Sequence, residues 1–184
     1  MNNINRQEAG FSYVDVMISI TILLIGVMAL IGAITSGINM TTRSQEALAA
    51  KQIASSTVES IFTARDLVDT FDWPSIGNVA DAAIPGGVFL AGRQNIYPTA
   101  GKDGIVGTAD DGWGADGIQG NADDDQPAIG MQREIRVKDK FDEDRPTSPI
   151  TLRQIDVIIY YTMGSIERKE VFSSFIANYR TRQV

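Results

Sequence analysis

Two adjacent copies of a 13-residue unit contain the densest cluster of carboxylates in this chain, and these side chains could do chemistry. The units run from Gly101 to Trp113 and from Gly114 to Gln126, and both hold the frame D-G-I-x-G-x-A-D-D. Calcium takes carboxylate, carbonyl and water oxygens, and glycines allow the tight turns that point carbonyls inward. The candidate metal ligands are three aspartates per unit: Asp103, Asp110 and Asp111, then Asp116, Asp123 and Asp124.

The acidic units have two possible interpretations, a calcium site and a solvated loop. They lack the D-x-[DN]-x-[DN]-G frame and final glutamate of an EF-hand, and they resemble the short aspartate-glycine calcium repeats of bacterial surface proteins. The alternative is a solvated, disordered acidic loop, for which glycine and aspartate are typical. The recurring isoleucine favours calcium, and we expect Ile105 and Ile118 to be buried and to hold each turn to its neighbour.

Composition narrows the possible chemistry. The chain has no histidine and no cysteine, so the usual zinc, copper and iron sites, disulfides and the commonest catalytic bases and nucleophiles are excluded. A paired-carboxylate hydrolase would need a cleft, whereas the acids here lie in repeats suited to cation binding, so we expect no enzyme. Of the net charge of −7, −6 lies between Gly101 and Asp125, and no basic patch for nucleic acid is indicated.

A charge-free segment near the N-terminus predicts a membrane helix. No charged residue occurs from Val16 to Thr42, and the 19 residues from Val16 to Ile34 form its apolar core. That length lies within the roughly 17–25 residues that a helix needs to cross a bilayer. Asp15 sits just inside the start of this helix, where a carboxylate is costly and usually has a purpose.

The small-residue pair Ala9-Gly10 precedes the apolar core, whereas an ordinary secretory signal is cut after it. Gly10, Phe11, the aliphatic run and Asp15 together resemble the class III signal of type IV pilins and type II secretion pseudopilins. The resemblance covers about Arg6 to Phe62, with one departure, since the family normally has glutamate in place of Asp15.

This resemblance implies that a prepilin peptidase cuts after Gly10 and methylates the new N-terminus at Phe11. It also implies that Asp15 takes part in methylation and subunit assembly by pairing with the free amine of a neighbouring subunit. The alternative is a single-pass anchor with an accidental Gly-Phe junction.

Beyond the span, the helical pattern continues, so we expect one helix from Phe11 to about Leu67. Its apolar stripe at helical spacing consists of Ala47, Ala50, Ala54, Val58, Ile61 and Phe62. Alternation from Met131 to Lys138 and two later apolar runs predict three antiparallel strands, the last two being Leu152–Thr162 and Ile166–Tyr179. Asp139–Pro149 is expected to be a connecting loop.

The expected fold class is α+β, with a long N-terminal hydrophobic helix packed by its C-terminal half on a small antiparallel sheet, and a long Gly/Asp-rich loop. The predicted segments are a cleaved leader (1–10), a transmembrane or filament-core helix (11–39), its amphipathic half (40–68), an irregular region (69–130) with the acidic repeats (101–126), and C-terminal strands (131–184).

The function that these features predict is a minor pilin or pseudopilin, a structural subunit of a type IV pilus or type II secretion-type filament. Its expected partners are other pilin subunits, bound through the N-terminal helix, the prepilin peptidase and the inner membrane. The precursor would span that membrane once with its head outside the cytoplasm, and the mature subunit would enter a filament. The alternative is a membrane-anchored calcium-dependent adhesion protein that does not polymerise. Pilus, secretion and DNA-uptake filaments stay equally open.

Overall fold

The computed structural model describes residues 12–66, 72–114, 116–141, 143–144 and 149–178. The chain divides into two compact units, residues 1–44 and 45–184. Its elements are helix α1 (Tyr13–Asp66) and strands β1 (Gln94–Asn95), β2 (Met131–Lys140), β3 (Leu152–Met163) and β4 (Ile166–Ala177).

The first unit contains the apolar part of α1. Ser12 caps this helix by accepting the Val14 N–H at 3.4 Å, and Asp15 returns a carboxylate oxygen to the Ser12 N–H at 3.3 Å. This reciprocal arrangement satisfies backbone donors that have no partner inside the helix. Ser19 and Thr21 donate their hydroxyls to carbonyls four residues earlier, as expected for polar residues inside an apolar helix.

The apolar side chains of this first unit are exposed. The most apolar 18-residue window of α1 has a mean hydropathy of 2.7 and no buried residue, so the helix is long and apolar enough to cross a membrane. A signal sequence near the N-terminus would meet the same criteria. A helix that is apolar all round, and that the described part of its chain leaves exposed, needs lipid or other helices around it.

In the second unit, the C-terminal part of α1 packs against a four-stranded antiparallel sheet of order β1-β2-β3-β4, which confirms the α+β fold class. Five helix residues are buried: Ala50, Ala54, Thr57, Ile61 and Ala64. Ala47, Val58 and Phe62 pack at the edge of the same core, which confirms the predicted stripe.

The inward face of the sheet follows from its register. Ile135 of β2 lies opposite Val157 of β3, and Val137 lies opposite Ile155, so these four apolar side chains share one face. All four are at most 3% exposed. The alternation seen in the sequence is therefore the alternation between core and solvent.

The sheet differs from expectation in one additional strand and in the length of β2. A fourth strand, β1, pairs its two residues with Gln132 and Arg133 at the edge of β2. Strand β2 also continues to Lys140, so the loop predicted to start at Asp139 begins later. The reason is that Asp139 lies opposite Arg153 in the ladder, and their side chains form an ion pair with a distance of 2.7 Å.

Arg153 is one of two arginines that are buried among the described residues, and its side chain is only 6% exposed. Its guanidinium donates to the carbonyl of Ile76 at 2.8 Å and to that of Trp73, and it lies 4.4 Å from the centroid of the Trp73 ring. The segment that follows α1 is thereby fixed to the sheet.

Replacing Arg153 by methionine is expected to destabilise the head by about 3–5 kcal/mol, because Asp139 would remain buried without its cation. Arg136→Met is the matched control. Arg136 is half exposed where it pairs with Glu134 on the outward face, so its loss should cost at most about 1 kcal/mol. Urea unfolding in detergent micelles, followed by tryptophan fluorescence, measures both. Equal costs for the two variants would contradict this account of the inward face.

Candidate acidic-repeat site

The acidic repeats form a series of hydrogen-bonded turns with the same backbone conformation in both copies. Glycines at equivalent positions have matching positive φ angles: 64° and 65° at Gly101 and Gly114, 71° at Gly104 and Gly117, and 92° and 94° at Gly107 and Gly120. Side chains other than glycine rarely adopt these angles, so the sequence repeat is a structural repeat.

The first aspartate of each repeat closes a short turn. Asp103 accepts the N–H of Ile105 at 2.7 Å, and Asp116 accepts the N–H of Ile118 at 2.8 Å. In such a turn, the aspartate side chain accepts a hydrogen bond from a backbone N–H that has no partner in a helix or sheet. This contact explains why an isoleucine follows D-G in both copies with the same spacing.

The last aspartate of each frame anchors the central glycine. Asp111 accepts the N–H of Gly107 at 2.8 Å, and Asp124 accepts the N–H of Gly120 at 2.6 Å. In both cases only the Oδ2 atom is used. The Oδ1 atoms of Asp111 and Asp124 are buried and have no hydrogen-bond partner among the described residues.

The middle aspartate of the first frame ties the start of the repeat to its end. Asp110 accepts the backbone N–H groups of Lys102 and Asp103 at 2.8 and 3.1 Å, and the Thr108 hydroxyl at 2.8 Å. Its carboxylate also lies against the Cα of Gly101, where any side chain would collide with it. Asp123 occupies the same place beside Gly114 in the second copy.

Each repeat closes on the chain 13 residues earlier. Gly112 donates its N–H to the carbonyl of Thr99 at 3.3 Å, and Asp125 donates its N–H to the carbonyl of Gly112 at 2.9 Å. The Asp125 carboxylate then accepts both the N–H and the hydroxyl of Thr99. These bonds join both repeats into one closed loop instead of an extended acidic segment.

The first repeat is docked on the core of the head. Ile105 is 1% exposed, and Val106 donates its N–H to the hydroxyl of Ser60 on α1 at 3.1 Å. Gly107 lies against the Ile135 side chain of β2 so closely that an added Cβ would overlap with it. The prediction that Ile105 is buried is confirmed.

A buried ion pair completes this docking. Arg133 on β2 donates to the Oδ2 atom of Asp111 at 2.6 Å, and the two side chains are 3% and 9% exposed. Arg133 also lies 3.5 Å from the Thr57 hydroxyl of α1. One guanidinium therefore connects the sheet, the helix and the first acidic repeat.

Burial raises the pKa of the Asp111 carboxyl, although the Arg133 guanidinium and the Gly107 N–H act against that rise. Burial also raises the pKa of Asp103, and the nearby Asp110 carboxylate adds to the effect. For Asp110, burial acts in the same direction, but the hydrogen bonds from Thr108 and the backbone hold its pKa below the ordinary value. Burial, which removes water from the carboxylates, is thus the main effect that opposes ionisation of the aspartates in the first repeat.

The second repeat lies on the first and not on the core. Its Ile118 is 61% exposed, so the prediction that Ile118 is buried is wrong. Gly117 packs beside the Lys102 side chain, which belongs to the first copy. The same turn therefore buries its isoleucine only where the helix and sheet supply a surface for it.

The predicted metal ligands are only partly brought together. In the part of the chain that the structure describes, no three His, Cys, Asp or Glu side chains are close enough to form a metal-binding group by themselves. The unpartnered, buried Oδ1 atom of Asp111 nevertheless fits a cation that takes its other ligands from backbone carbonyls and water. Calcium tolerates such mixed shells, and the residues of the repeats suit it in chemistry.

The residues predicted to take part in processing and assembly lie near the N-terminus. Asp15 is exposed at the start of α1, where it caps the helix. Gly10 and Phe11 lie outside the described residues.

Sequence reasoning missed Arg133 as a partner of the acidic repeats. The signal is present, because residue 133 falls on the same alternation as Ile135 and Val137, where a charged side chain must be buried. A buried guanidinium needs a carboxylate. What the alternation could not tell is which of the many aspartates supplies it.

Comparison with known proteins adds no relative: no family model, no curated protein and no solved structure matches the chain. Function must therefore be inferred from the residues and their geometry.

Replacing Gly101 by alanine is expected to destabilise the head more than Gly104→Ala, by about 1–3 kcal/mol, because the new Cβ would lie 2.6 Å from Asp110 Oδ2. Gly104 is the matched control, since it has a similar φ of 71° but open space around its Cα. Urea unfolding in the presence of a calcium chelator measures the difference. Equal destabilisation would mean that Asp110 does not pack on Gly101 in solution.

Proposed function

We propose that this chain is a minor pilin or pseudopilin, a structural subunit that assembles into a filament after a peptidase removes residues 1–10. The observation that carries the proposal is an apolar helix segment whose side chains are exposed among the described residues, with a carboxylate at its first turn. The most apolar window of this helix has no buried residue. In water such a surface would be strongly unfavourable.

The position of Asp15 supports assembly over simple anchoring. An anchor needs only apolar length, and a carboxylate at the edge of the bilayer weakens it. Asp15 compensates part of that cost by accepting the Ser12 N–H at 3.3 Å. In a filament, the amine of a neighbouring subunit would replace this weak contact with an ion pair, so that both charges enter the apolar core neutralised.

The head fits a role at the surface of such a filament. Helix α1 includes both the apolar segment and residues buried in the head. In the proposed filament, the apolar segments would form the core and the heads would face outward. The acidic repeats belong to the head, and we include calcium bound by them as a stabilising part of the proposed subunit. The other subunits with which the chain assembles would define the class of filament, whether a pilus, a secretion filament or a DNA-uptake filament.

Mass spectrometry of the membrane-extracted protein tests this function. The expected mature chain begins at Phe11 and carries one N-methyl group. The reason is that the N-terminal motif resembles the substrate of a prepilin peptidase, which performs both reactions. Gly10→Leu should leave the leader attached and keep the chain out of filaments. Gly26→Leu is the control, since that helix glycine has open space around it and lies outside the cleavage motif.

An intact N-terminus in the wild-type chain would contradict the proposal and would support a tethered, non-polymerising adhesion protein. Normal maturation and assembly of Gly10→Leu would contradict it equally.

A further inference from the structure

The two acidic repeats have the same conformation but different charge compensation. In the first repeat, the Arg133 guanidinium lies 2.6 Å from Asp111 Oδ2. In the described part of the second repeat, no basic side chain forms an ion pair with Asp116, Asp123 or Asp124. The repeats therefore offer two copies of one carboxylate arrangement in two different environments.

A feature common to both copies points to a ligand. The Oδ1 atom of Asp111 is buried without a hydrogen-bond partner, and so is that of Asp124 at the equivalent position. The Asp111 side chain as a whole is only 9% exposed. A buried carboxylate oxygen that accepts nothing is costly, and its recurrence 13 residues later makes an accident of packing a poor explanation.

The surroundings of Asp111 favour a cation over a further hydrogen-bond donor. Asp103 is close enough to Asp111 to act on it electrostatically, and Asp110 is close to Asp103. Asp111 also lines a cavity of about 220 Å³ together with Thr108, Trp113 and Gln119. Arg133 donates to only one oxygen of Asp111, so the other oxygen is left without a compensating positive charge.

We propose that each repeat binds its own calcium ion, one through Asp111 Oδ1 and the other through Asp124 Oδ1, with backbone carbonyls and water completing each shell. This inference rests on the calcium part of the proposed function and adds the number of ions and their placement. Arg133 remains bound to Asp111 Oδ2, so the first site keeps its connection to the sheet when calcium binds. The second site has no such connection, and its order depends on the ion.

Titration of the full-length chain in detergent micelles tests the proposal, with calcium chloride in a calorimeter and with terbium, whose luminescence Trp113 would sensitise from its place at the junction of the repeats. The wild-type chain should bind two ions. Asp111→Asn and Asp124→Asn should each bind one, because each removes the charge of one unpartnered oxygen.

The matched control is Asp125→Asn. Asp125 is adjacent to Asp124 and carries the same charge, but its carboxylate accepts the N–H and hydroxyl of Thr99. This variant should still bind two ions. Circular dichroism identifies a variant that loses ions because it has unfolded, and Asp111→Glu, which keeps the charge, should then retain the first ion.

The possible failures are distinguishable. Binding of no ion would overturn both this inference and the calcium part of the proposed function. Binding of a single ion by the wild-type chain would overturn only the two-site inference. If Asp125→Asn lost as much binding as Asp124→Asn, the acidic segment would be attracting counterions by its charge alone, and the two sites would be disproved. None of these results affects cleavage after Gly10, which the chain's N-terminus reports separately.

Discussion

The head depends on the ion pair between Arg133 and Asp111. Both side chains are almost fully buried, and their contact links strand β2 to the acidic repeat. Removing two charges from water is expensive, and breaking such a pair from one side leaves the other charge unpaired, at a cost of about 3–5 kcal/mol. If the repeat left the core, Arg133 would remain buried without its carboxylate, and the fold would lose that stabilisation. The acidic, glycine-rich segment is therefore a fixed part of the fold. Ile105 and Gly107 can then pack on the helix and the sheet.

Arg153 and Asp139 repeat this solution at the other end of the sheet. Each arginine stands at an inward position of a strand and takes a carboxylate with it into the core. With no cysteine in the chain, disulfides cannot hold its long irregular region. The two guanidiniums do so instead, since one fixes the first acidic repeat and the other fixes the segment around Trp73 and Ile76.

The sequence predicted the helix, its buried stripe and the three long strands because these depend on local periodicity. It also predicted that the acidic units repeat in structure, since their glycines and aspartates fix the turns locally. It failed for Ile118 because burial depends on what lies opposite, and the second copy of the turn has only the first copy beneath it. It missed the partner of Arg133 for the same reason, since 22 residues separate that arginine from Asp111. The extension of β2 through Asp139 likewise required knowledge of the residue across the ladder.

The central claim is that the first acidic repeat is folded into the head by the buried pair, whether or not metal is present. Hydrogen–deuterium exchange of the intact chain in micelles, with a calcium chelator, tests it most directly. The Gly107 amide, which donates to Asp111, should exchange about as slowly as the amide of Val157 in β3. The Gly120 amide makes the equivalent bond to Asp124 but belongs to an exposed residue of the second repeat, so it should exchange faster. If the Gly107 amide exchanged at the rate of an unfolded peptide, the acidic segment would be a solvated loop and this account would be wrong.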